Sequence, residues 1–192
     1  MTRKGFYFNS ERCVGCKTCM VACKKKNNLP KGAFFRRVTS YEVGEFPNAT
    51  MYHWSRTCNH CADPACMKAC PTKAMYRDEA DGTIQHDDNI CIGCGSCVIA
   101  CPYHVPILIE ETGMAAKCNA CIDTRGEDGT PTCVAACGMR ALDFGTYEEL
   151  LERHPEAKNQ LACMPDASIT DPTVFIDARE CAFDPNYRDL VL

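Results

Sequence analysis

The chain has 192 residues, 18 of which are cysteine, and a formal net charge of −4 at pH 7. Its length suits one ordinary domain or two small ones. The acidic balance, with no basic run longer than Lys24 to Lys26, argues against a nucleic-acid surface. No stretch approaches 18 consecutive apolar residues, so the sequence predicts no membrane-spanning helix, and any membrane attachment would come through a partner.

The abundance of cysteine has two common explanations, a disulfide framework in an exported protein or cysteine-bound metal. The N-terminal segment from Met1 to Gly5 runs directly into structured sequence. It shows neither the apolar core nor the small-residue cleavage site of an export signal. The cysteines also fall into four tight groups, whereas disulfide frameworks scatter them. Both observations favour metal.

Each group contains four cysteines, and only Cys163 and Cys181 lie outside them. In chain order the groups are Cys13, Cys16, Cys19 and Cys23 (group one); Cys58, Cys61, Cys66 and Cys70 (group two); Cys91, Cys94, Cys97 and Cys101 (group three); and Cys118, Cys121, Cys133 and Cys137 (group four). Groups one and three have the spacing C-x2-C-x2-C-x3-C. The middle gap widens to four residues in group two and to 11 residues in group four.

The spacing of groups one and three has a geometric meaning. Three closely spaced cysteines allow one curled loop to present three thiolates to a single [4Fe–4S] cluster. The fourth cysteine follows where a short helix has begun, so it points to a second cluster, as in bacterial ferredoxins. Such groups work in pairs, and four groups predict two ferredoxin-like units with four clusters. Four dianionic clusters would bring the formal charge of −4 to about −12.

Groups two and three are adjacent, and a proline follows each of them, Pro71 or Pro102. The residues between them predict a hairpin of 75–77 and 83–86 around an Asp-Gly turn. We therefore pair groups two and three, which leaves groups one and four to pair across the chain, although Lys24 and Gly138 replace the prolines there. The predicted ligand sets are Cys13, Cys16, Cys19 and Cys137; Cys23, Cys118, Cys121 and Cys133; Cys58, Cys61, Cys66 and Cys101; and Cys70, Cys91, Cys94 and Cys97.

An internal repeat supports a duplication, because residues 6–16 and 83–94 both read as a strand, a polar turn and then C-[VI]-G-C. Gly15, Gly93 and Gly95 are expected where the backbone approaches an inorganic sulfide closely. The predicted fold class is α+β, with two pseudo-symmetric ferredoxin-like units that each hold two 4Fe–4S clusters, followed by a C-terminal extension. The first unit would comprise residues 1–50 and 104–146, the second 51–103, and the extension 147–192.

Zinc is the competing metal. Structural zinc sites commonly use two C-x2-C knuckles that supply four ligands to one ion. Groups one and three carry a third cysteine that a zinc knuckle does not need, whereas group four alone could serve as a zinc site. The prediction is four iron–sulfur clusters held by sixteen cysteines, and zinc or a three-iron cluster at one position stays an alternative.

The residues outside the clusters predict packing and surface roles. Thr146 and Glu149 form a predicted capping box for a short helix that ends at Arg153, and residues 173–176 are a candidate strand in an otherwise extended tail. The loop of residues 125–131 is predicted to be an exposed excursion. Tyr52 and Trp54 are assigned to packing, and Cys163 and Cys181 are expected to be buried free thiols. His60 and His104 are read as surface residues or as neighbours of the ligands, and the lysines near the groups as a solvated face: Lys17, Lys24, Lys25, Lys26, Lys68, Lys73 and Lys117.

No enzymatic motif is present in the sequence. It contains no glycine-rich phosphate loop, no G-x-S-x-G and no H-E-x-x-H. The chain is therefore predicted to transfer electrons and not to be catalytic on its own.

The whole array resembles the four-cluster ferredoxin-type subunits of molybdopterin oxidoreductases, in particular the B subunits of dimethyl sulfoxide, polysulfide and thiosulfate reductases. The matching stretches are RCVGCKTCMVACK (12–24), CNHCADPACMKACP (58–71), NICIGCGSCVIACPY (89–103), 118–123 and RALDFG (140–145). Gly138 stands where that family usually has proline, and the tail after residue 146 matches thinly.

This resemblance implies partners. It implies a large catalytic subunit that carries a molybdenum or tungsten pterin cofactor, and in many such complexes a membrane subunit that exchanges electrons with quinone. It favours a membrane-associated complex on the extracytoplasmic face, exported with a partner that bears a twin-arginine signal, with the cytoplasm as the alternative. A free-standing polyferredoxin, or the small subunit of a formate or hydrogenase system, remains the competing function.

Overall fold

The computed structural model describes residues 2–125 and 129–190. This part of the chain is a mixed α and β structure of short helices and small sheets. The strands are β1 (Lys4–Asn9), β2 (Arg37–Val43), β3 (Thr50–Arg56), β4 (Met75–Arg77), β5 (Ile84–His86), β6 (Ile107–Ile109), β7 (Met114–Ala116), β8 (Leu142–Thr146), β9 (Val174–Asp177) and β10 (Tyr187–Leu190). The α-helices are α1 (Thr18–Lys26), α2 (Ala65–Lys68), α3 (Ser96–Ala100), α4 (Thr132–Ala135) and α5 (Tyr147–Arg153).

The N-terminal strand β1 lies in the centre of a three-stranded sheet with the order β8-β1-β9. It pairs antiparallel with β8 and parallel with β9. Phe6, Tyr7 and Phe8 are consecutive and all buried, as expected for a strand that is covered on both faces. Both neighbours of the first strand therefore come from the last third of the chain.

The second three-stranded sheet has the order β10-β2-β3. β2 and β3 form an antiparallel hairpin, and β10 from the end of the chain pairs antiparallel with the free edge of β2. Tyr41 of β2 stacks on Tyr52 of β3 with a ring-centroid distance of 5.1 Å. Trp54 meets Phe8 of the first sheet edge to face at 5.2 Å, which joins the two sheets in one apolar core.

Two hairpins complete the β structure. β4 pairs with β5, and this confirms the hairpin predicted between groups two and three, with the second strand starting at Ile84. β6 pairs with β7 immediately before group four. Met75 of β4, Ile84 of β5 and Ala115 of β7 form a small core together with Cys66 and Cys97.

The helices that carry the cysteine groups are short, and each begins in one of two ways. α1 and α3 follow residues in the left-handed region, Lys17 (φ 61°) and Gly95 (φ 73°). α2 and α4 follow prolines, Pro64 and Pro131, whose fixed φ suits a helix start. α1 packs against α4, and α2 packs against α3.

The proline at the end of groups two and three has a visible effect. α3 ends at Ala100, just before Cys101 and Pro102, because proline cannot continue a helix. Lys24 occupies the corresponding position of group one, and α1 continues to Lys26. The absence of proline after group one therefore allows α1 to extend beyond its last cysteine.

The C-terminal extension is integrated into the fold more closely than the prediction of an extended tail. The capping box is confirmed, since Thr146 Oγ1 accepts from Glu149 N–H and Glu149 Oε2 accepts from Thr146 N–H at the start of α5. The candidate strand is β9, shifted by one residue from the predicted 173–176. β10 was not predicted, because its pairing with β2 is a long-range event. In the predicted loop, residues 126–128 lie outside the described part of the chain.

No helix in the described part of the chain has the length and apolar character that crossing a membrane requires.

Candidate metal centres

All four cysteine groups begin with the same backbone turn. The residue immediately before the second cysteine has a left-handed conformation in each group: Gly15 (φ 67°), His60 (φ 43°), Gly93 (φ 67°) and Ala120 (φ 54°). Glycine adopts this region readily, whereas His60 and Ala120 adopt it at a conformational cost. The sequence showed this turn in groups one and three through their glycines and concealed it in the other two.

The structure supplies reasons for these glycines in addition to the predicted approach to sulfide, which stays a prediction. A Cβ at Gly15 would lie 2.6 Å from the His53 ring, and one at Gly93 would lie 2.1 Å from the main-chain oxygen of Gly113. A Cβ at Gly95 would meet only Leu108, at an ordinary contact distance of 3.5 Å. Glycine is favoured at this position because the residue before α3 has a positive φ. Protein packing and backbone conformation thus account for glycine at these positions.

Cysteines of groups one and four meet around a small cavity. Cys13, Cys16 and Cys19 line it together with Cys137, and Phe8, Val38 and Leu142 supply apolar wall. Burial raises the pKa of the Cys13 thiol, and the nearby Cys19 and Cys137 raise it further. The fourth cysteine of group four therefore lies with the first three of group one, far from it in the sequence.

The reciprocal arrangement holds for Cys23. Burial raises the pKa of its thiol strongly, and the neighbouring Cys118, Cys133 and Cys121 add to that rise. All four of these cysteines are buried. The packing of α1 against α4 creates this proximity, because Cys23 lies on α1 and Cys133 on α4.

A second small cavity is lined by cysteines of groups two and three. Cys58, Cys61 and Cys66 face it together with Cys101. Burial raises the pKa of Cys61 to about 11, with a further contribution from Cys101. Cys70 in turn lies near the thiols of Cys94 and Cys97, and Cys91 also neighbours Cys97. The packing of α2 against α3 brings these residues together.

Exposure separates the four sets into two kinds. Cys16 and Cys94 are exposed, each in a different set, and Thr18 or Ser96 places a hydroxyl 3.4 Å from its sulfur. The hydrogen bonds with these hydroxyls lower the pKa of Cys16 and of Cys94. The other two predicted sets contain no exposed cysteine and are the more interior ones, with Cys61 and Cys101 partly buried.

Two buried cations lie among the cysteines, and the sequence did not single out either. Lys117 is 5% exposed and lines the cavity of Cys58 and Cys66, which corrects its assignment to a solvated face. Its charge opposes the rise that burial causes in the pKa of Cys58. Arg36 is 1% exposed and lies near Cys19, Cys23, Cys118 and Cys133. In the sequence each cation looks like an ordinary surface charge.

The remaining predicted residues are placed as follows. Tyr52 and Trp54 are buried in the core, as predicted. His104 is exposed, and His60 is fully buried beside group two, where its Nδ1 accepts from the N–H of Ile84. Cys163 and Cys181 are free and only partly buried.

The donor chemistry of the site fits iron–sulfur clusters. Each cavity is lined by four thiols and, among the described residues, by no histidine or carboxylate, and thiolates are the usual ligands of such clusters. Among residues 2–125 and 129–190, no three His, Cys, Asp or Glu side chains are arranged around the position of a single metal ion. Four thiols from two different cysteine groups instead surround each of the two small cavities.

Comparison with known proteins gives the class. Residues 49–147 match the family model described as a 4Fe-4S dicluster domain, and residues 4–25 match a 4Fe-4S binding domain. The fold and the site therefore define an iron–sulfur protein. The B subunit of anaerobic dimethyl sulfoxide reductase from Escherichia coli (strain K12) is 42% identical over 183 residues, which cover 91% of this chain and 88% of the relative. The protein belongs to the family of that B subunit, and the resemblance inferred from the motifs is confirmed.

Two further relatives show how far the similarity extends. The B subunit of anaerobic dimethyl sulfoxide reductase from Haemophilus influenzae is 40% identical over 191 residues, covering 95% of this chain and 92% of the relative. The thiosulfate reductase electron transfer subunit PhsB of Salmonella typhi is 43% identical over 145 residues, covering 73% of this chain and 74% of the relative.

Proposed function

We propose that this protein is the electron-transfer subunit of a reductase complex and holds four 4Fe–4S clusters. The observation that carries the proposal is the pair of cavities in which three thiols of one cysteine group meet the last cysteine of another. Each cluster, when bound, accepts and releases one electron at a time. The part of the protein is to fix the thiolates rigidly so that little rearranges when the charge changes.

The proposed ligand sets are those read from the sequence. The cavities support the sets of Cys13, Cys16, Cys19 and Cys137 and of Cys58, Cys61, Cys66 and Cys101. Mutual proximity of the thiols supports the sets of Cys23, Cys118, Cys121 and Cys133 and of Cys70, Cys91, Cys94 and Cys97. The matched packing of α1 on α4 and α2 on α3 supports two pseudo-symmetric ferredoxin-like units.

The contacts between sets support a linear order. Cys97 neighbours Cys66, so the set with exposed Cys94 adjoins the Cys58 set. Cys58 neighbours Cys118, which joins the two interior sets. Arg36 lies near both Cys118 and Cys19, and this supports a position for the Cys13 set, with exposed Cys16, at the other end. Electrons would therefore enter near one exposed cysteine and leave near the other.

The partners follow from the relatives. Their names, as the B subunit of one reductase and the electron transfer subunit of another, support a large catalytic subunit at one end of the series. The resemblance carried by the cysteine motifs supports a molybdenum or tungsten pterin cofactor in that subunit. A quinone-linked membrane subunit or a soluble carrier would serve the other end. On this proposal the chain is not catalytic by itself. A free-standing polyferredoxin is the competing function, and a pterin-containing partner that co-purifies with the protein would exclude it.

The metal content provides the first test. We expect about sixteen iron atoms per chain after anaerobic purification, and a broad absorbance that dithionite bleaches. Iron near zero after reconstitution, or zinc as the main metal, would contradict the proposal.

The crossing of ligands between groups provides a sharper test. Cys137→Ser should abolish the electron paramagnetic resonance signal that Cys13→Ser abolishes, and leave the signal of the Cys118 set. Cys163→Ser is the matched control, because Cys163 lies outside the four groups and should keep the full iron content. Loss of one and the same signal in Cys137→Ser and Cys118→Ser would show that each group binds its own cluster.

A further inference from the structure

Arg36 carries a permanent charge in the interior of the protein. It precedes β2 directly and is 1% exposed. Its Nη1 donates to the main-chain oxygen and to Oγ of Ser55, both at 3.0 Å. Its guanidinium carbon lies 4.8 Å from the centroid of the Phe6 ring. Two hydrogen bonds and one ring fix the position of the group.

These contacts do not compensate the charge. The Nε and Nη2 atoms of Arg36 are buried and make no well-oriented hydrogen bond among the described residues, although the guanidinium is close enough to the Cys133 thiol to lower its pKa by charge and by hydrogen bonding. An isolated buried cation is very unfavourable, so buried arginines are normally paired with an anion. No carboxylate accepts a hydrogen bond from Arg36 in the described part of the chain.

Thiols take the place of that carboxylate. Burial lowers the pKa of Arg36, but Cys133, Cys19, Cys118 and Cys23 reverse this effect, and the pKa of Arg36 is raised overall. Cys19 belongs to one proposed ligand set and the other three to the next. The cation therefore lies at the boundary between an interior set and an outer one.

We propose that the guanidinium of Arg36 sets the reduction potentials of the two clusters held by groups one and four, keeping both more positive than they would be without it. Reduction adds a negative charge to a cluster, and a fixed cation nearby stabilises the reduced form. Water and salt screen this interaction little, because Arg36 is buried. The inference rests on the proposed function, since it requires the clusters to be present.

Ser55 extends this effect to one cluster. Its Oγ accepts from Arg36 Nη1 and lies 3.5 Å from Cys19 Sγ. With a lone pair occupied by the guanidinium, the hydroxyl proton is free to point towards the sulfur. A hydrogen bond to a ligand sulfur also raises the potential of a cluster. Arg36 thus acts on the Cys19 set through its charge and through Ser55.

The test is an electron paramagnetic resonance redox titration of the iron-loaded protein in its complex, with the four signals assigned by the cysteine variants. Arg36→Gln should shift the potentials of the Cys19 and Cys133 clusters to more negative values and leave the other two in place. Arg36→Lys, which keeps the charge, should leave both potentials close to those of the unaltered protein. Arg37→Gln is the matched control, since this neighbouring arginine is exposed and loses the same formal charge.

Ser55→Ala separates the two contributions. It should lower the potential of the Cys19 cluster alone, because the Arg36 charge remains. Full iron content with all four potentials unchanged in Arg36→Gln would overturn the proposal, as would an equal shift in Arg37→Gln. If Arg36→Gln fails to retain iron, Arg36→Met, which also removes the charge and keeps an unbranched side chain, takes its place, and unchanged potentials of the Cys19 and Cys133 clusters in that variant overturn the proposal. The unaltered protein tests the cluster count separately, so the two failures are distinguishable.

Discussion

Lys117 donates a hydrogen bond from its ammonium group to the main-chain oxygen of Ile84, a residue 33 positions earlier in the chain. The same group donates to the carbonyl of Cys118 at 2.9 Å. Lys117 therefore joins β5 to the first cysteine of group four, and it does so beside the cavity of Cys58 and Cys66. A buried cation here stabilises the fold and, on the proposed function, also offsets the negative charge of a cluster.

Lys117→Met should lower the free energy of unfolding by about 3 kcal/mol, because it leaves two buried carbonyl groups without donors. The potential of the Cys58 cluster should also become more negative. Thermal unfolding and a redox titration measure these effects. Lys68→Met is the control, since Lys68 is exposed, and its stability should change by less than about 0.5 kcal/mol. Equal losses in the two variants would contradict the role of Lys117.

A buried carboxylate joins three separate segments. Asp81, in the β4–β5 turn, accepts from Lys4 Nζ at 2.7 Å and from Arg125 Nη2 at 2.6 Å. Thr83 Oγ1 donates to its other oxygen at 2.6 Å. Burial raises the pKa of Asp81, but the hydrogen bonds from Lys4, Thr83 and Arg125 lower it more, and the net pKa is below its ordinary value.

Asp81→Asn should therefore destabilise the protein by about 3 kcal/mol at pH 7, because it leaves the buried Arg125 without its anion. The carboxylate stabilises the fold fully above the unfolded-state pKa of about 4, and this contribution is lost as the pH falls through the lower folded-state pKa. Stability measured against pH should consequently fall less steeply in acid for the variant. Asp63→Asn, which breaks an exposed ion pair with Lys68, should be nearly neutral.

Gly93 and Gly113 form a matched pair for a steric prediction. Both have positive φ, 67° and 68°, but only Gly93 lacks room for a Cβ, which would lie 2.1 Å from the oxygen of Gly113. Gly113→Ala should cost about 1 kcal/mol for the left-handed conformation alone. Gly93→Ala should cost about 2 kcal/mol more, because the group three loop must shift, and its iron content should fall. Equal unfolding midpoints and full iron in both variants would show that the contact is unimportant.

Tyr7 links the first strand of the chain to the C-terminal extension, since its hydroxyl donates to Asp177 Oδ2 at 2.6 Å. Burial and this hydrogen bond raise the pKa of Tyr7 to about 12. The neutral phenol therefore stabilises the fold fully below the unfolded-state pKa of about 10, and this contribution is lost as the pH rises towards 12.

Tyr7→Phe should cost about 2 kcal/mol at neutral pH, because Asp177 loses its donor. The alkaline loss of stability should also be smaller in the variant than in the unaltered protein. Urea unfolding over a series of alkaline pH values, up to about pH 11, measures both effects. Tyr76→Phe is the control, as Tyr76 is exposed on β4, and a similar loss there would contradict this assignment.

The features that the sequence predicted are those with local causes. The β4–β5 hairpin follows from an Asp-Gly turn, and the α5 helix from a capping box, so each signal lies within a few residues. The grouping of the cysteines likewise follows from spacing. In contrast, β10 and the parallel pairing of β9 depend on distant strands, and no short pattern specifies such register.

The buried cations at the site also depend on long-range structure that no short sequence pattern specifies. Phe34, Phe35, Arg36 and Arg37 read as an apolar pair followed by a basic pair. Arg36 lies in the bend before β2 and is buried, whereas Arg37 begins β2 and is exposed, and no short sequence pattern distinguishes the two. Candidate ligands can therefore be predicted from the sequence, because residue type fixes their chemistry. The buried cations beside them cannot, because their burial depends on the fold.

The topology of the first sheet bears on how the protein is made. β1 is synthesised first, yet both of its neighbours, β8 and β9, emerge from the ribosome only after residues 142 and 174. A nascent polypeptide thus carries Phe6 and Phe8 uncovered for most of its translation. Cys13, Cys16 and Cys19 are likewise synthesised more than 100 residues before Cys137. With the proposed ligand sets, iron loading of this region can be completed only after Cys137 has been synthesised. A prematurely terminated polypeptide would expose an apolar strand and unligated thiols to chaperones and proteases.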